Sequence, residues 1–395
     1  MTHQFKFTLR AFTALVLLIL ICDDALSQSY TSPIPWHHTV FEARVAALGQ
    51  STAALSNGSA YHMNPAIPSE KGVLQVSTFL FSTTPFDLPQ DGADLYSPAV
   101  SYSSGKFTYT AMADYTSFSV PNEFNANSED YSNRLLRFQA GYKLSENFSL
   151  GAGFLHSSYS SPVIVFNNQE FGGNATAWGI DLGLFYQDQI RNDDFTFKPR
   201  LGLSLNNIGP EFDYEANGMS DANLPGQISL GMGFEAVSNR LIYNKPIFGA
   251  GIYSGFNKYL PRQELEENGT ELSRPGGFEA LFTTWNSFER FAGSQNEVIS
   301  LGDQISGSVG LEFHLLETLF LRYGVLGGAD DWVRPQNGFG AEADFYYVSL
   351  AVTHLNYHSS DQYGPQDNST YVQVTFRIPL DGRHRDTILN SLFSR

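Results

Sequence analysis

Cysteine is nearly missing. Cys22 is the single one in 395 residues, and it closes the apolar run Ala11–Cys22, which follows Lys6 and Arg10 and precedes the small-residue site Ala25-Leu26-Ser27. Residues 1–27 therefore read as a cleavable export signal. Once it is removed no cysteine would remain, which excludes disulfides, thiolate metal sites and cysteine nucleophiles together. Long apolar runs are missing too. Nothing after the signal approaches the roughly 20 residues of a membrane-spanning helix. Charge is scarce, at 16% of residues, against about 25% in ordinary soluble domains. Basic charge is scarcer still: the net charge of −17 argues against nucleic acid as a partner, because phosphate binding needs basic surface.

Aromatic residues and glycine are abundant, at 14% and 35 residues. Many aromatics with little charge suit apolar surroundings, yet the mean hydropathy is only −0.20. A membrane-embedded β-barrel reconciles these values, since polar residues facing inward dilute the apolar ones facing lipid. The pattern of the chain agrees. In "ATAWGIDLGLFYQD", Trp178, Ile180, Leu182, Leu184 and Tyr186 share one parity, and Gly179, Asp181, Gly183 and Phe185 share the other. Successive strand residues point to opposite faces, so the first set forms an apolar stripe with an aromatic at each end. Similar alternation marks "GQISLGMGFEA", "ISGSVGLEFHL", "LLRFQAGYKL" and "STYVQVTFRIPL".

Strands are predicted near 72–82, 97–104, 106–117, 133–143, 147–159, 175–187, 197–206, 226–237, 246–257, 303–314, 318–327, 337–344, 346–356 and 370–380. About 14 strands, an even number, suit an outer-membrane barrel with both termini periplasmic. Connection lengths support this: long segments such as "SFSVPNEFNANSEDYS", "SSPVIVFNNQEFGGN" and Lys258–Gly302 alternate with tight links such as Gly105-Lys106 and "SEN". Two short links, near 188–196 and 238–245, are longer than this pattern expects. A propeller would repeat every 40 to 50 residues or so, and no such repeat is present.

Before the first strand lies "ARVAALGQSTAALSNGSAYHMNPA", Ala43–Ala66. Pro65 and Asn64 impose a turn, and Asn57-Gly58 allows another. A barrel of about 14 strands is too wide for side chains alone to fill, so a compact segment of small residues placed directly before strand one is suited to plug it. This segment resembles the N-terminal hatch of FadL-like outer-membrane barrels, with Arg44, Gly49, Asn64, Pro65 and Ala66 as its motif. "LGLSLNNIGPEFDYEANGMSDANLPGQISLGMGF", "GFNKYLP", "TTWNSFERF", "GSVGLEFHLLETLFLRYGVL" and "GFGAEADFYYVSLAVTH" are similar, in order, to the PorV family of type IX secretion system outer-membrane proteins. The organisation this implies is a signal over 1–27, a plug over 28–70, an all-β transmembrane antiparallel barrel over 71–380 and a periplasmic tail over 381–395.

The resemblance implies a non-enzymatic protein of the outer membrane, embedded in its lipid. It would bind the C-terminal domains of exported cargo and act with the translocon and the cell-surface attachment complex. Tyr214, Phe278, Trp285 and Phe288 in the two longest loops are candidates for cargo docking, because aromatic rings bury much area around one polar atom. The alternative is a FadL-like channel for hydrophobic small molecules, which an apolar lumen would favour. Asp181, Arg200, Glu235, Glu312 and Arg322 all have inward parity, where a salt-bridged lumen would hold them. His37-His38, His62, His156, His314 and His354 read as loop or lumen residues. The pairs Asp193-Asp194, Glu266-Glu267 and Asp330-Asp331 read as solvated turn charges. No nucleophile motif, metal motif or phosphate-binding loop is found, and no cofactor is expected.

Overall fold

The computed structural model describes residues 42–51, 53–55, 63–82, 94–121, 128–166, 169–210, 212–214, 224, 226–260, 264–265, 272–273, 275, 277–292, 295–328, 336–357 and 368–380. The signal and tail expected at either end, and His37, His38 and His62, lie outside them.

Among the described residues seventeen strands join one closed sheet; three are extensions of two or three residues, and the other fourteen form an antiparallel barrel. In chain order these are β1 (Val73–Ser82), β2 (Ala99–Ser104, extended by Asp94–Tyr96), β3 (Phe107–Pro121), β4 (Ser128–Lys143) and β5 (Phe148–Phe166). There follow β6 (Gln169–Gln187), β7 (Phe195–Ile208), β8 (Gln227–Ser238), β9 (Phe248–Tyr259) and β10 (Ile305–Leu315). The last four are β11 (Leu319–Gly328), β12 (Gln336–Asp344), β13 (Val348–Tyr357) and β14 (Asn368–Pro379). Each strand pairs with its neighbours in sequence, and β1 closes on β14 from Val73↔Pro379 to Ser82↔Tyr371. Closure leaves no unpaired edge, the condition a sheet must meet inside lipid. Among the described residues no helix is long and apolar enough to cross a membrane.

Alternation separates the two faces. Phe138, Phe154, Leu182, Leu203, Leu230, Leu311, Leu321, Phe339, Val352 and Phe376, from ten different strands, are all exposed on the outside. Inward positions of the same strands are buried and largely polar, among them Gln139, Ser204, Ser229, Ser308 and Thr353. So continuous an apolar exterior far exceeds the few hundred Å² that soluble monomers expose. His156 and His354 differ from the sequence expectation. Each has outward parity, and His156 is exposed beside its cross-strand partner Trp178.

Several strands outrun the apolar pattern that predicts them. Much of "SSPVIVFNNQEFGGN" is a continuation of β5 and β6, whose ladder persists to Phe166↔Gln169. Likewise β3 and β4 pair as far as Pro121↔Ser128. Above the lipid band neither face needs to be apolar, so backbone pairing continues without the signal that reveals it. The two long links at the short-turn end are small folded units: Ile190 and Arg191 pair with Phe197 and Thr196, and Leu241-Ile242 pairs with Lys245-Pro246. Tyr243 and Asn244 both have positive φ, as a two-residue hairpin turn of the primed type requires.

Within the long connection between β9 and β10, the described residues include a helix, Gly277–Thr283, and a hairpin, Phe288–Ala292 with Gln295–Ile299. A shorter helix, α1 (Ala43–Ala47), belongs to the segment before β1. The later helix is α2.

Candidate functional site in the lumen

The described residues between Glu42 and Pro68 occupy the lumen. Their helix starts on the Glu42 carboxylate, which accepts from the Val45 amide at 2.6 Å, a side-chain N-cap. Ala43, Val45, Ala46 and Ala47 are buried. Small residues are required here because the segment lies directly against the wall backbone. A Cβ on inward-facing Gly202 would stand 1.5 Å from the Ala53 carbonyl oxygen, and one on Gly151 would stand 2.2 Å from the Pro65 carbonyl carbon. A Cβ on Gly324 would come within 2.3 Å of the Gly49 nitrogen. Gly49 itself has φ of +64° and faces the Val325 carbonyl, so both its conformation and its surroundings demand glycine.

These glycines are in register. Gly141 pairs with Gly151, Gly151 with Gly183, Gly202 with Gly231, Gly231 with Gly255, and Gly310 with Gly324 and through it with Gly338. They form three runs at about one level of the wall, Gly141–Gly151–Gly183, Gly202–Gly231–Gly255 and Gly310–Gly324–Gly338, and between the runs Phe185 and Ser204, then Tyr253 and Ser308, carry the inward side chains. The sequence signal for them is glycine recurring at inward parity, and its meaning emerges only once the lumenal segment lies against them.

Polar ties hold the segment against those glycines. Asn64 is fully buried; its Nδ2 donates to the Ala53 carbonyl at 2.9 Å and to the Leu184 carbonyl of β6 at 3.1 Å, and its Oδ1 accepts from the Ala66 amide at 3.0 Å. One side chain thus closes the Asn-Pro-Ala turn and moors it to the wall. Thr353 donates to the Ala43 carbonyl, Gln373 accepts from the Ala43 amide, and Asn206 donates to the Met63 carbonyl. Val45, Leu48, Leu55, Ala66 and Ile67 pack with wall residues Phe185 and Tyr253.

Charge is concentrated on the short-turn side of this segment. Arg44 donates from Nε and Nη2 to the two oxygens of Glu312, each at 2.9 Å. This is the forked geometry that suits a guanidinium to a carboxylate. Burial opposes the Arg44 charge, but the facing Glu312 carboxylate, together with Tyr253 and Glu42, outweighs it and holds the guanidinium above its usual pKa. Glu312 also accepts from Arg322 Nε at 2.6 Å, and Arg322 reaches Glu342 at 2.6 Å. The Tyr253 hydroxyl lies 3.4 Å from both Glu312 and Arg200, and Arg200 pairs with Glu235. His314 and Lys198 complete the surroundings of Glu235 at 3.5 and 3.4 Å. The network borders a cavity of about 390 Å³ that reaches Lys245, Glu317 and Tyr346 at the short-turn end.

Four of the five lumen charges predicted from the sequence, Arg200, Glu235, Glu312 and Arg322, meet in this one network. Asp181 does not. It is paired instead with Arg137 at 3.1 Å, and it accepts from the Asn207 amide at 2.8 Å. Sequence reasoning passed over Arg137, Glu342 and Tyr253, although their inward parity was readable. On the long-loop side this Asp181–Arg137 pair adjoins an apolar cluster, in which Leu135, Leu155, Ala177, Leu355 and Tyr371 pack with loop residues Phe212 and Leu224.

The four aromatics expected to dock cargo differ in exposure where their side chains are described. Phe278 and Trp285 are exposed, whereas Phe288 is buried at 8% and has little ring to offer a partner. Tyr214 pairs through its backbone with Ala175, and its side chain lies outside the described residues. Of the three carboxylate pairs, Asp193-Asp194 lies exposed in the link before β7, and the other two lie outside the described residues. Among the described residues no three His, Asp or Glu side chains gather as a metal site.

Residues 27–253 match the family described as type IX secretion system protein PorV, a span of more than half the chain. No curated protein matches. Among solved structures, the chain is similar to the Ralstonia pickettii toluene transporter TbuX at 11% identity and a TM-score of 0.47, over 85% of this chain and 97% of that one. It is similar to the CymD monoaromatic hydrocarbon channel at 11% identity and 0.49, over 87% and 98%. A Pseudomonas aeruginosa FadL homologue aligns at 10% identity and 0.41, over 86% and 98%.

Proposed function

Because the chain belongs to the PorV family of type IX secretion system proteins, we propose that this outer-membrane barrel binds the C-terminal domains of exported cargo and passes them to the surface attachment complex. Cargo meets its long-loop end, the short turns and both termini face the periplasm, and the translocon delivers the cargo from beside it. The observation that carries this reading is the filled lumen. A protein conduit needs an open bore, whereas here the described residues between Glu42 and Pro68 lie against inward glycines of the wall, and Arg44 clamps them to Glu312. Breaking such a buried pair costs about 3–5 kcal/mol. That supports a platform whose outer loops do the work.

Deletion of the gene tests it. Cargo with type IX C-terminal domains is expected to accumulate unattached, while uptake of hydrophobic small molecules is unchanged. If cargo is still exported and attached and uptake falls, the channel reading takes its place.

A further inference from the structure

Helix α2 sits on the outside of the barrel. Its Ala280 and Leu281, with Leu260, pack against Ile208 and against Ile180, Leu205 and Ile228. Those last three share the outward parity of the lipid-facing Leu182, Leu203 and Leu230, each two residues along the same strand. The approach is close: a Cβ on Gly277 would come 2.2 Å from the Gly209 carbonyl oxygen. The level of contact can be placed on β6, where Tyr186 and Trp178 end the apolar stripe. With about 3.3 Å per residue and a tilt near 40°, that stripe is roughly 20 Å tall, close to the lipid band of such barrels. Ile180 lies at its long-loop border, and so does α2.

The helix has three faces. At about 100° per residue, Ala280 and Leu281 point to the barrel, Glu279 and Thr283 form a polar side, and Phe278 and Phe282 lie about 40° apart on the third, toward which Trp285, two residues past the helix, is turned back by its indole bond to the Leu281 carbonyl. That aromatic side is largely uncovered: Phe282 is 83% exposed, Phe278 45% and Trp285 48%, the last with the Lys258 ammonium 6.0 Å from its ring centre. Meanwhile the carbonyls at the end of the helix are satisfied internally. Thr283, Thr284 and the Trp285 indole donate to the carbonyls of Glu279, Ala280 and Leu281 at 3.0, 2.7 and 2.7 Å. Water would supply those bonds freely; a non-aqueous setting demands that the protein supply them.

We propose that α2 is an interfacial helix seated in the leaflet on the long-loop side, with Phe278, Phe282 and Trp285 among lipid acyl chains just below the headgroups. The patch continues the lipid-facing belt through Ile180, Leu205 and Ile228, and it combines a polar side with an aromatic one as interfacial helices do. Two of the aromatics expected to dock cargo are thereby assigned to lipid.

The test uses the full chain refolded in phosphatidylcholine vesicles, with folding verified by heat-modifiable gel mobility. Trp36→Phe, Trp178→Phe and Trp332→Phe together leave Trp285 as the sole tryptophan. Acyl chains spin-labelled near the headgroup should then remove its emission to within about twofold of the loss in a chain retaining only Trp178, the belt control, and iodide should have little effect. Efficient iodide quenching without quenching by labelled lipid overturns the proposal and points to a protein partner for this face. A chain carrying Phe282→Trp and Trp285→Phe, with the other three tryptophans replaced by Phe, repeats the reading at the most exposed position.

Discussion

Asn64 does more than its size suggests. Its amide serves two carbonyls and one N–H at once, and two of those three groups belong to the lumenal segment itself. Asn64→Ala leaves buried backbone groups without partners, at about 1–3 kcal/mol. The barrel keeps its far larger ladder, so we expect unchanged heat-modifiable mobility but faster amide hydrogen exchange at Ala66 and Ile67. Unaltered exchange there would show that the turn holds without its side chain. Asn64 and Pro65 were legible beforehand as a turn, from the chemistry of the two residues. The bond to Leu184 was not, because it crosses from residue 64 to residue 184 and no local pattern encodes it.

At the level of elements, the inward glycines and the lumenal segment are shaped for each other. Gly202→Leu places a side chain where the Ala53 carbonyl now stands, and the segment rather than the wall must yield, since overpacking costs about 1–3 kcal/mol and the wall is closed by hydrogen bonds. Planar-bilayer conductance is expected to rise above that of the unsubstituted chain. Gly105→Asn is the control: that glycine has positive φ in a turn but nothing within 4 Å of its Cβ position, and Asn accepts such a conformation. Equal conductance for the two variants would mean that the segment does not seal the lumen. Inward glycine recurs visibly along the sequence, yet the same spacing would suit a ligand or a partner backbone. Only contact with Ala53, Pro65 and Leu48 assigns it.

The whole molecule is organised by an inversion: apolar outside, polar within. Leu182, midway along the stripe from Trp178 to Tyr186, faces the middle of the lipid band. Leu182→Arg should cost about 2–4 kcal/mol there, and Tyr186→Arg at the border about 0–1. Unfolding in phospholipid vesicles measures both, and equal penalties would contradict the placement of the band. Inside, the charges divide into an ionic network toward the short turns and the Asp181–Arg137 pair toward the long loops, where an apolar cluster adjoins it.

Alternation at period two determined the strands, the outward stripe, the approximate strand number and the parity of every inward charge, because the two faces of a strand are written into consecutive residues. Turn chemistry determined the kink at Asn64-Pro65. Tertiary structure alone decided that Arg200, Glu235, Glu312 and Arg322 form one network while Asp181 joins another. It also buried Phe288, left Phe278 and Trp285 exposed, and laid α2 on the outer wall. Those outcomes depend on which strands become neighbours and at what register, and a sequence read along one dimension does not contain the distance between residues that closure brings together.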